Sequence, residues 1–211
     1  MSNSKLIAAL AAVFIAAVLV VSWAIPTFRN SSDDIFAQCR TTAVAGGTSQ
    51  IGGPFTLVDE NGTTVTSQEV LAEASLLYFG YTYCPDVCPM DTARNADAIV
   101  LLEEKGYDVQ PVFISIDPER DTPQLLKEFT DYLHPDMLGL TGTPEQVKAA
   151  STAYRTYYRK QEGDPEYYLI DHSTFSYLTL PDYGFVEFFR RDVAAEDLAE
   201  KISCFLDASA Q

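Results

Sequence analysis

Two short apolar runs constrain this chain most: SLLYFGY at residues 75–81, and residues 107–116 with VQPVFISI at their heart. Each is rich in β-branched and aromatic residues and too short for an ordinary helix, so each reads as a buried β-strand. A helix starting around residues 84–91 and ending at Gly106 separates them. Asp121, Thr122 and Pro123 then supply a cap and a first-turn proline for a helix with Leu125, Leu126, Phe129 and Leu133 on one side. MLGL at residues 137–140 reads as a third strand. Thr143, Pro144 and Gln146 open a capping-box helix expected to run to about Lys160. Residues 55–58 and 63–66 flank the turn DENG, residues 175–180 and 185–190 flank PDYG, and a last helix covers residues 194–206. Alternating strands and helices followed by a closing hairpin and helix indicate an α/β fold with a mixed sheet and an N-terminal hairpin.

Before that domain, residues 6–25 (LIAALAAVFIAAVLVVSWAI) contain no charge and match the length a helix needs to cross a bilayer. They are expected to form a transmembrane signal anchor, with Trp23 at the far interface. Lys5 precedes the run and Arg29 and Arg40 follow it, so basic residues do not fix its orientation. The expected organisation is an anchor over residues 1–25, a polar stem over 26–50 and a globular domain over 51–211. A net charge of -16 argues against nucleic acid as a partner, because phosphates would be repelled. Four cysteines favour an oxidising compartment such as the bacterial periplasm. The expected location is therefore the inner membrane, single-pass, with the domain facing the periplasm.

The chemistry concentrates in YTYCPDVCPMD at residues 81–91, where Cys84 and Cys88 stand at i and i+4 between a strand end and a helix start. That placement lets both sulfurs converge on one ion or join each other in a disulfide, and a helix N-terminus lowers a thiol pKa. Only two histidines are present. His134, in YLHPDM, reads as a helix-terminal residue facing water. His172, in LIDHSTFSYL, lies in a loop entering the closing hairpin, on the side where the strand before Cys84 ends, and is the selected third ligand. Two thiolates and an imidazole suit copper, as Cu(I) or, with an added oxygen, Cu(II), better than a four-ligand structural zinc site. Asp171 could supply that oxygen, orient the imidazole or cap the loop. Met90 reads as packing.

YTYCPDVCPMD, the later ISIDPERDTP, and DHS before an aromatic hairpin together resemble the Sco/SenC family, membrane-anchored thioredoxin-like copper proteins involved in assembling cytochrome c oxidase. The resemblance covers about residues 51–206. It implies a thioredoxin-like fold, with Cys84, Cys88 and His172 as copper ligands, Asp171 as the acid beside them, and residues 117–123 as a loop near the site. The implied role is a metallochaperone that delivers copper to the binuclear copper centre of the oxidase's copper-bearing subunit; a periplasmic copper donor or thiol reductant is expected as a further partner. The rival reading is a thiol-disulfide oxidoreductase in which Cys84 and Cys88 reduce the acceptor's cysteines. A peroxidase is disfavoured by the spacing of Thr82 from Cys84. In the last helix, Leu198, Ile202, Phe205 and Leu206 form an apolar stripe that Cys204 falls off. A disulfide from Cys204 to Cys39, folding the stem back, is the expectation there.

Overall fold

The computed structural model describes residues 10–11, 13–20, 34–40, 42, 47–164 and 167–210. Contacts divide the chain into two units, Met1–Gln38 and Cys39–Gln211. In the first, residues 10–11 and 13–20 are helical and exposed; the remainder of the predicted 6–25 span lies outside the described residues. Among the described residues no helix is long and apolar enough to cross a membrane.

The second unit begins with β1 (Thr56–Asp59), β2 (Thr64–Thr66), α1 (Ser67–Val70), β3 (Ser75–Gly80) and α2 (Val87–Glu103). It continues with β4 (Gln110–Ser115), α3 (Pro123–Leu133), β5 (Leu138–Thr141), α4 (Pro144–Ala153), β6 (Tyr158–Lys160) and β7 (Ile170–His172). It closes with β8 (Ser176–Leu180), β9 (Gly184–Phe189) and α5 (Ala195–Ser209). Seven strands form one mixed sheet in the order β2-β1-β5-β4-β3-β8-β9. The strands β3, β4 and β5 are parallel; β8 runs antiparallel to β3. Every residue of β3 is buried, the signature of a strand covered on both faces. Packing of α2 and α5 on each other, of α2 on β3 and β4, and of α3 on β5 supplies much of that cover.

Local chemistry explains most boundaries. Asn61-Gly62 turns the first hairpin, with Gly62 at φ 81°. Thr122 accepts a hydrogen bond from Leu125 N and has Pro123 beside it, so α3 starts there. Thr143 and Gln146 exchange both bonds of a capping box at α4. The expected helix through Lys160 stops at Ala153. Arg155 takes a left-handed φ of 51°, and the following TYYRK segment, rich in aromatic and β-branched residues, becomes β6. Paired with β7, it forms a separate two-stranded sheet, so His172 lies on a hairpin strand and not in a loop.

Cys39 and Cys204 are joined in a disulfide with a Cα–Cα distance of 5.7 Å. Arg40 donates to the Val186 carbonyl and Thr42 to Glu187, so these residues of the predicted stem are fastened to β9 as well.

Candidate metal centre

Topology brings the site together before any side chain is considered. Residue 84 follows the C-terminal end of β3, and the antiparallel register Tyr78↔Ser176 sets the start of β8 beside that end. Residues 172–175, just ahead of β8, therefore arrive at the cysteine segment. One ligand atom from each of Cys84, Cys88 and His172 lies within 4.8 Å of the others.

Cys84 precedes α2 and Cys88 sits in its first turn. Asp86, at the N-cap position, makes no side-chain cap. The Cys84 sulfur fills that role instead, accepting the Cys88 amide at 3.3 Å. Cys84 is accordingly held far below an ordinary thiol, to about 3, first by a hydrogen bond from the Cys88 thiol and then, against its own desolvation, by the Asp86 and Cys88 amides. Cys88 moves the opposite way, pushed up because it shares its proton with the Cys84 thiolate and because it is buried. The pair is thus one thiolate and one thiol.

His172 Nδ1 lies 2.7 Å from the Ser173 carbonyl oxygen. A carbonyl only accepts, so Nδ1 carries the proton and the lone pair resides on Nε2, which faces Cys88 Sγ at 3.3 Å. Tyr81 and Tyr78 meet the ring edge-on, with centroids 5.8 and 6.4 Å away. Asp171 does not orient this imidazole. Neighbouring residues of a strand point to opposite faces, and Asp171 is turned to Arg159 Nη2 at 2.9 Å and Gln161 Nε2 at 2.6 Å.

Glu103, His134 and Asp136 also cluster, but the ring there has the wrong tautomer for a ligand. His134 is buried, 5 % exposed, and does not face water. Its Nδ1 accepts the Asp136 amide at 3.2 Å, so Nε2 bears the proton and points at Glu103 Oε1, 3.6 Å away. No lone pair is left for an ion. Met90 is 60 % exposed and so is not packed, contrary to expectation.

Two contributors were missed in the sequence. Gly80 lies where an added Cβ would approach Cys88 Sγ to 3.1 Å and Tyr78 to 2.9 Å, so a larger residue would displace the Cys88 sulfur. The glycine inside a buried strand was the available signal. Ser173 acts through its backbone and carries no such signal.

The family model described as SCO1/SenC matches residues 43–207. Protein SenC of Rhodobacter capsulatus is 52% identical over 209 residues, covering 99% of this chain and 94% of that protein. The crystal structure of Arabidopsis thaliana ScoI with copper bound is 42% identical, with a TM-score of 0.71 over 74% of this chain and 99% of that one. The structure of Bradyrhizobium japonicum ScoI with copper bound is 36% identical, with a TM-score of 0.66 over 72% and 98%.

Proposed function

The chain belongs to the SCO1/SenC family, and from that premise we propose that it is a copper metallochaperone holding copper through Cys84, Cys88 and His172. The observation that carries this reading is the His172 Nε2 lone pair directed at the cysteine pair. Two sulfurs and one imidazole form a soft, three-donor set that suits Cu(I), and relatives at 42% and 36% identity are known with copper bound. The resemblance adds the destination, the binuclear copper centre of cytochrome c oxidase. Binding needs one proton removed, from Cys88, because Cys84 is already a thiolate. Release then proceeds by ligand exchange, the acceptor's thiolates replacing those of the donor.

The thiolate–thiol state of the pair favours a second reading, reduction of the acceptor's disulfide. Cys84 attacks one sulfur, forming a mixed disulfide and expelling the other as thiolate. Cys88, on losing its proton, attacks Cys84 and frees the second acceptor thiolate. The acceptor gains two electrons and this pair becomes a disulfide.

The uncharged run over residues 6–25, helical where described, supports an N-terminal membrane anchor, and the Cys39–Cys204 disulfide supports a periplasm-facing domain. Copper-loaded chain mixed with the pre-reduced copper-bearing domain of the oxidase should transfer copper, followed by mass spectrometry of both partners. Failure of transfer, with an oxidised acceptor reduced by the copper-free chain, would contradict the chaperone reading in favour of the reductant.

A further inference from the structure

The two halves of the metal centre belong to separate pieces of backbone: the cysteines follow β3 of the large sheet, whereas His172 ends β7 of the small one. Among the described residues no strand pairing joins β6–β7 to the seven-stranded sheet. One loop, residues 117–121 between β4 and α3, reaches both.

On the cysteine side, Asp121 is 1 % exposed. Its carboxylate accepts Thr82 N at 3.1 Å, Thr82 Oγ1 at 2.6 Å and Ser115 Oγ at 2.6 Å. Thr82 stands two residues before Cys84, so this carboxylate fixes the segment entering the ligand turn. A carboxylate is expensive to bury, and burial raises the Asp121 pKa against these hydrogen bonds. A simple turn does not require that cost.

On the histidine side, Tyr168 donates its hydroxyl to Asp117 Oδ1 at 2.6 Å. Its ring has the Arg120 guanidinium and the Lys160 ammonium each 3.6 Å from its centroid. Arg120 Nε is itself bound to Asp117 at 2.5 Å, and Lys160 to Glu119 at 2.7 Å. Beside these contacts lies a cavity of about 120 Å³ lined by Asp117, Glu119, Tyr158, Lys160 and Ile170 among others. The small sheet is thus fastened to the loop largely by side chains, with open space beside the fastening. Ser115 Oγ links the two sides, donating to Asp121 and accepting the Asp117 amide at 3.0 Å.

We propose that Asp121 and Tyr168 are positioning residues which, through the loop at 117–121, set the distance between the cysteine turn and the His172 strand and so the affinity of the copper site. Neither is among the three ligands. The proposal rests on the copper reading above.

The test uses the full chain, Cu(I) and a competing chelator, comparing wild type with Tyr168→Phe, Asp121→Asn and the matched control Tyr107→Phe. The control removes another tyrosine–carboxylate bond, Tyr107 to Asp207 at 2.8 Å, remote from the ligands. Residues that orient ligands without binding the ion typically change affinity by about 10- to 100-fold. Tyr168→Phe should weaken Cu(I) about 10-fold and Asp121→Asn somewhat more, and both should shift the Cu(II) thiolate charge-transfer band; Tyr107→Phe should do neither. Metal-free melting should show Tyr168→Phe still cooperatively folded at the titration temperature, separating positioning from loss of the fold. Amide exchange in the metal-free chain should accelerate at Thr82 in Asp121→Asn and at Ile170 in Tyr168→Phe. A wild-type chain that binds no Cu(I) contradicts the copper reading, and amide exchange then decides the positioning role by itself. Wild-type binding with both variants equal to it overturns the positioning role alone.

Discussion

Cysteine and histidine occur in this protein in two contrasting settings. In one, Cys39 and Cys204 are consumed in a disulfide and His134 Nδ1 receives a backbone amide. In the other, Cys84 and Cys88 are not bonded in a disulfide and His172 Nδ1 donates a hydrogen bond to a backbone carbonyl. The residue types are the same, but the backbone group met by Nδ1 determines which histidine retains an Nε2 lone pair. Likewise, the Cys84 sulfur caps a helix and remains ionised, while Cys204 meets a sulfur from the N-terminal segment. Ligand capacity follows from backbone placement more than from composition.

This contrast predicts that the closed set governs stability and the open set governs copper. The largest effect is expected at Cys204→Ser. The disulfide spans a sequence separation of 165 residues, and losing a loop of that size costs about 5 kcal/mol in the chain-entropy model. Denaturant unfolding should show a loss of that order with unchanged Cu(I) affinity; weakened copper binding in the folded variant would break the division. Next, Cys88→Ser should lower Cu(I) affinity by about a thousandfold, or about 4 kcal/mol, because in the proposed site it removes one of three donors. Its metal-free unfolding curve should change far less.

A smaller effect is expected with pH. Because Cys84 is held at about 3 and Cys88 is raised, loading releases one thiol proton. Between about pH 7 and 8 the apparent affinity should therefore rise about tenfold per unit, where two ordinary thiols would give about a hundredfold. Absorbance of the Cys84 thiolate near 240 nm should persist on acidification until the pH approaches about 3; titration near the ordinary thiol range would remove the basis for that slope. The smallest effect belongs to His134→Leu, which loses the hydrogen bond to the Asp136 amide for about 1 kcal/mol of stability. Copper affinity should be unaltered.

Much of this arrangement is legible in the sequence where local signals coincide. The runs at 75–81 and 107–116 gave the central strands because apolar continuity, length and flanking turns agreed. Thr122-Pro123 and Thr143-Pro144 marked helix starts through side chains acting within three residues. The small sheet was not legible. Its formation depends on a left-handed turn at Arg155, a residue type that rarely adopts one, and on Tyr168 meeting Asp117 from 51 residues away. At the site, the cysteine spacing and the scarcity of histidine pointed to Cys84, Cys88 and His172. The partner that orients His172 is a main-chain carbonyl, common to all residues, so the neighbouring Asp171 drew attention that belongs to Ser173.

The most direct test is a competitive Cu(I) titration of the full chain carrying His172→Ala beside one carrying His134→Ala. With Nε2 available only at His172, the first substitution should weaken binding by about a hundredfold or more and the second should leave it at the wild-type value. Equal affinities in the two variants, whether both retained or both lost, would contradict the assignment of His172 as the third copper ligand.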